Sequence, residues 1–108
     1  MYTITFDDFK KLDIRIGKIL SAEKIKGTDK LMKLEVDLGV DKRQLIAGIA
    51  EFFEPAHLIG RELPILSNLE PRRIRGIESQ GMVLAVDVAG KPVLLHPEKE
   101  VPPGSIIR

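Results

Sequence analysis

Residues 32–38 alternate without a break: Met32, Leu34, Val36 and Leu38 are apolar, and Lys33, Glu35 and Asp37 between them are charged. A period of two with one wet face predicts a strand lying on a core. The same period starts earlier, where Ile14 and Ile16 alternate with Asp13 and Arg15; Ile19 continues it with opposite parity after Gly17. A glycine at a parity slip predicts a β-bulge that bends a long first strand. Gly27-Thr28-Asp29 supplies the turn between these two strands. Further strands are expected at 44–49, at Glu62–Leu66, through Met82, Leu84 and Val86, and at 93–95, with a short apolar end at Ile106-Ile107. Two short helices complete the pattern. One covers 5–12, with Thr5 as its cap, Asp7 and Asp8 in its first turn, and Phe6 and Phe9 on one face as anchors. The other covers 55–60, with Pro55 inside its start and Gly60 past its end.

Five or six strands, a long bent first strand and one short helix between the third and fourth describe an all-β fold. The outline is that of a five-stranded Greek-key barrel of the oligonucleotide-binding (OB) type with short helices, an SH3-like barrel being the competitor. A chain of 108 residues, 44% hydrophobic and 31% charged, has room for one such domain, spanning 1–108. The absence of cysteine removes disulfides, thiolate nucleophiles and cysteine-based zinc sites. No apolar run is long enough to span a membrane, and Asp7 and Asp8 interrupt the place a signal peptide would occupy. The expected location is the cytoplasm.

A net charge of +1 argues against a polycationic arm, but the charge is segregated. Residues 18–33 hold five cations against two anions, 34–71 three against seven, and Arg72-Arg73-Ile74-Arg75 three cations in four positions. On an OB barrel the loops after the first strand and before the fifth flank the nucleic-acid groove, and both basic segments fall there. Converging cations suit phosphates, because each contact releases condensed counterions, and arginine adds planar bidentate bonds.

The run Asn68-Leu69-Glu70-Pro71-Arg72-Arg73, followed by Gly76 and Ser79-Gln80-Gly81-Met82, closely resembles the tRNA-binding domain found at the C-termini of methionyl-tRNA synthetases. That module also occurs in stand-alone tRNA-binding proteins and in the endothelial-monocyte-activating polypeptide group. Phe9 to Ile19, Asp29-Lys30-Leu31, Val36–Gly39, Ala47-Gly48-Ile49 and Pro97–Ser105 resemble the family as well, so the likeness covers essentially the whole chain. It implies an OB barrel, a homodimer, and tRNA binding that depends on shape and backbone more than on sequence. It also implies a methionyl-tRNA synthetase catalytic domain as partner, on the same or a separate chain. The RNA-binding residues expected from charge and resemblance are Lys30, Lys33, Asn68, Arg72, Arg73, Arg75, Ser79 and Met82, Arg75 for its charge alone. Two alternatives stay open within this set: Asn68 and Ser79 touch RNA or cap turns, and Met82 forms an apolar platform or a piece of core. A related secretion-chaperone-type dimer that binds protein is the competing function.

Nothing in the sequence assembles a catalytic site. His57 and His96 stand apart with no metal-ligand spacing, Gly48, Gly60 and Gly76 are isolated, and the carboxylates are dispersed. No enzyme activity, cofactor or metal is expected of the chain alone.

Overall fold

The computed structural model describes all of residues 1–108. Helix α1 (Phe6–Lys10) is followed by β1 (Ile14–Lys24), β2 (Met32–Asp37), β3 (Lys42–Ala47), helix α2 (Pro55–Leu58) and β4 (Glu62–Leu66). Then come β5 (Arg72–Ile74), β6 (Ile77–Ser79), β7 (Met82–Val83), β8 (Ala85–Val88), β9 (Lys91–Leu94) and β10 (Ile106–Ile107). The main sheet is antiparallel in the order β3-β2-β1-β4-β7, with β10 added to the start of β1. It curls until β3 approaches β6 and β7, giving a nearly closed five-stranded barrel of the expected OB type.

The alternation at 32–38 works as read. Met32, Leu34, Val36 and Leu38 are fully buried with Ile19, Leu45, Leu58, Leu63 and Ile65 in one core. Thr5 caps α1 by accepting the Asp8 N–H at 3.1 Å, and Pro55 opens α2. Phe6 and Phe9 depart from expectation. They stack on each other at 6.4 Å, but Phe9 is only half-buried and Phe6 stays exposed, so α1 is poorly anchored within one barrel.

The bend in β1 lies elsewhere than Gly17. The register against β2 slips between Ile19 and Ser21, which makes Leu20 the bulged residue. Gly17 pairs with Leu63 and faces inward, where a Cβ would collide with Val36 and Ile65. The apparent parity slip has a different cause: both faces of β1 are covered. Gly17 and Ile19 face the core, while Ile14 and Ile16 lie beneath the C-terminal segment. That segment is tied down by Ile16 N–H donating to Ser105 O and Gly104 N–H to Ile16 O.

Two further departures concern the second half. The stretch 72–79, expected as loop, is the β5–β6 hairpin, and the strand expected through Met82–Val86 is split. β7 pairs with β4, then the chain leaves the barrel and β8 pairs with β9 in a separate, largely exposed hairpin.

Candidate nucleic-acid interface

The outer faces of β1, β2 and β3 form the floor of a polar groove of about 440 Å³, lined by Ser21, Glu23, Lys33, Glu35, Lys42, Arg43, Gln44 and Gln80 with little apolar surface. On a barrel of this type, this face and the loops beside it receive oligonucleotides. Lys33 stands on the floor, paired in register with Glu23 on one side and Ile46 on the other. Its Nζ lies 2.7 Å from Glu23 Oε1, and that hydrogen bond and charge hold the Glu23 carboxyl below the usual carboxylate range.

The β5–β6 hairpin is a separate two-stranded sheet tied to β3. Ile46 N–H donates to Ser79 Oγ at 3.0 Å, Gln80 N–H to Gln44 O at 2.9 Å, and Gln44 Nε2 to Glu78 O at 2.8 Å. Within the hairpin, register places Arg72 opposite Ser79 and Arg73 opposite Glu78. Arg75 and Gly76 turn the hairpin with positive φ at both positions, 55° and 77°, as a type I′ turn requires.

The predicted residues therefore divide. Arg72, Arg73 and Arg75 are exposed, and none of them forms an ion pair. Arg73 is steadied by donating to Gly76 O at 3.0 Å. Lys30, in the β1–β2 turn, is likewise exposed and unpaired, whereas Lys33 lies on the groove floor and carries its own carboxylate. Met82 is 40% exposed, outside the core. Asn68 and Ser79 do framework work. The Asn68 side chain accepts Asp13 N–H at 2.9 Å and donates to Lys11 O at 2.6 Å, locking the α1–β1 junction to the end of β4. Ser79 is buried; its hydroxyl accepts from Ile46 and donates to Gly81 O, so it has no free face for RNA. Ser79 is thus sealed in the frame, whereas Asn68 is anchored to the backbone and still exposed.

Sequence reasoning missed Arg43, Gln44 and Gln80. Arg43 donates to the carbonyls of Ser67 and Gln80 and pairs with Asp41, closing the barrel between β3 and the loops that follow β4 and β6. Arg43 and Gln44 give no sequence signal beyond polar residues in or beside a predicted strand, and Gln80 stands within the Ser79-Gln80-Gly81-Met82 run without being singled out. No three His, Cys, Asp or Glu side chains converge as metal ligands, and no helix is long and apolar enough to cross a membrane.

Three comparisons with known proteins agree with this geometry. The family described as "Putative tRNA binding domain" matches residues 14–106. Methionine–tRNA ligases from Methanothrix thermoacetophila and Methanococcoides burtonii are 55% and 58% identical over 97% and 96% of the chain. The chain spans only 16% of the length of each. Among solved structures, a MetRS-related protein from Pyrococcus horikoshii superposes with a TM-score of 0.95 at 38% identity, covering all of both chains. A chaperone CsaA from Bacillus anthracis does so with 0.91 at 36%, covering 99% of this chain and all of that one.

Proposed function

The chain belongs to the tRNA-binding domain family, and from that premise we propose that it is the non-catalytic tRNA-binding module of a methionyl-tRNA synthetase, a C-terminal domain or separate subunit that raises tRNA affinity. The observation that carries this reading is the hairpin of Arg72, Arg73 and Arg75, three exposed cations without carboxylate partners, beside the β2–β3 face. Unpaired guanidinium groups meet phosphates without first breaking an internal ion pair. Lys30 and Lys33 extend the track, and Met82 offers an apolar contact. Asn68 and Ser79 keep the surface in shape from behind. Contacts of this kind read backbone and shape, so discrimination among tRNAs falls to the catalytic partner.

The module acts as a cytoplasmic homodimer. Its apolar remainder supports this: an open groove of about 460 Å³ is walled by Ile14, Ile16, Leu84, Leu95, Ile106 and Ile107. Surfaces of this kind mark interaction sites. Two copies present the arginine hairpin twice, and avidity follows if one tRNA reaches both.

Titration of tRNA against the wild type and the Arg72→Ala/Arg73→Ala variant at several salt concentrations tests the reading. The double variant is expected to bind more weakly, with its log–log salt slope shallower by about 1.4–1.8. Equal affinity and equal slope would overturn the arginine assignment. The likeness to a chaperone keeps a second reading in the experiment: suppression of client aggregation with no tRNA binding would favour it.

A further inference from the structure

Between β4 and β7 the chain leaves the main sheet and returns, and the β5–β6 hairpin is what that excursion carries. The pairing of β4 with β7 ends at Leu66 opposite Met82, and the next pair outward is Arg72 with Ser79. A side chain of β3 bridges the two limbs in this gap. Arg43 Nη1 donates to Ser67 O on the outgoing limb and, at 3.5 Å, to Gln80 O on the returning limb. Its Nε is held by Asp41 Oδ2 at 3.3 Å. Other ties hold one limb each. Asn68 fastens the outgoing limb to Lys11 and Asp13, and Gln44 fastens the returning limb at Glu78 and Gln80. Within Arg72–Ser79 only Ser79 is buried, so the hairpin has no core of its own. A two-stranded hairpin without one is marginal in water, and its orientation depends on such ties.

We propose that Arg43 is a positioning residue for tRNA binding: it holds both limbs of the excursion at their neck, so that Arg72, Arg73 and Arg75 meet phosphates already oriented. This rests on the RNA-binding reading and adds to it a residue that acts through others. The guanidinium suits the task by its shape. Its planar fork carries several donors in fixed directions, enough for two carbonyls and a carboxylate together, whereas a lysine ammonium is a compact point charge on a flexible stem. The charge of Arg43 is already compensated by Asp41, unlike the charges of the hairpin arginines. A hairpin ordered before binding loses less freedom when it binds, and the saving appears as affinity.

The test is a mutant cycle with tRNA on the full chain. Arg43→Lys conserves charge, replaces no residue of the buried core and cannot reproduce the fork. It is expected to weaken tRNA binding about threefold to tenfold. In the Arg72→Ala/Arg73→Ala/Arg75→Asn background, measured at low salt, the same substitution is expected to change affinity by less than about twofold, because the groups it positions are gone. Equal losses in both backgrounds would make Arg43 a direct phosphate contact and overturn the proposal. Amide exchange gives a reading without RNA. In Arg43→Lys the amides of Arg72–Ser79 are expected to exchange about tenfold faster or more, while those of β2 keep their rates. Unchanged exchange in the hairpin, or equal acceleration in both, overturns the proposal. Should Arg43→Lys fold poorly, Asp41→Ala replaces it, removing the exposed carboxylate that holds Nε. By charge alone that change tightens tRNA binding, whereas loss of positioning weakens it, so tighter binding overturns the proposal. If Arg43→Lys binds as the wild type does while binding still depends on Arg72 and Arg73, this inference falls and the parent reading stands. If the wild type binds no tRNA, both fall.

Discussion

Asp13 is a single residue on which three parts of the chain converge. Its N–H donates to Asn68 Oδ1, its carbonyl accepts both the N–H and the hydroxyl of Ser67, and its carboxylate grips Arg15 at 2.8 Å and 3.2 Å. The Arg15 hydrogen bond is the main cause that holds the Asp13 carboxyl below its ordinary 3.8, outweighing the opposing effect of burial. A depressed carboxyl stabilises the fold above its unfolded value, and that contribution disappears as pH falls through the lowered folded value. Asp13→Asn is therefore expected to lower the denaturant midpoint at neutral pH and to flatten the further loss of stability below about pH 4. Midpoints measured from pH 7 to pH 3 check both; an unaltered acid limb would show that the pair contributes nothing. The same neighbourhood explains Asn68. Its amide bonds two backbone groups and so ties the start of β1 to the segment after β4.

At the scale of elements, the β5–β6 hairpin carries a conflict between backbone and charge. Arg75 sits at φ 55°, a left-handed conformation that costs a non-glycine residue roughly 1–2 kcal/mol. Asparagine occupies that region more readily and is favoured in type I′ turns. Arg75→Asn is expected to raise the thermal midpoint slightly while weakening tRNA binding and reducing the salt slope by about 0.7–0.9. Opposite movements of stability and affinity would identify Arg75 as a cation placed there for its charge; a variant that binds as well as the wild type would exclude that. β1 shows a different economy. Its inward glycine admits Val36 and Ile65, its bulge at Leu20 supplies the bend, and its outer isoleucines receive the C-terminal segment.

For the whole molecule, the apolar surface is what one barrel leaves unfinished. Phe6, Val86, Val88, Val93, Leu95 and Ile106 are all more than 40% exposed, and a second open groove of about 500 Å³ lies between α1 and β10. Covering such surface is favourable at about 25 cal/mol per Å² of apolar area, before the cost of association. Sedimentation at micromolar concentration is expected to return twice the 12.1 kDa of one chain. A monomer there would refute the dimer and, with it, the double presentation of the hairpin.

Much of this was legible in the chain because it is local. Strict alternation at 32–38, the Thr5 cap and the Pro55 start are short-range physics, and they appear where the sequence places them. The succession of the first four strands and the clustering of basic residues in 18–33 and 72–75 were legible for the same reason. What only the tertiary structure decided depends on partners distant in sequence. Gly17 was misread because burial on both faces of β1 imitates a parity slip. Three-residue strands rich in arginine carry no period, so the hairpin became visible only through its pairing and its bonds to β3. Whether a polar side chain faces RNA or the backbone depends on which hydrogen-bonding groups the folded chain brings within about 3 Å of it. Composition and spacing leave that open, and only the folded chain shows Ser79 and Asn68 bonded to backbone groups far away in sequence.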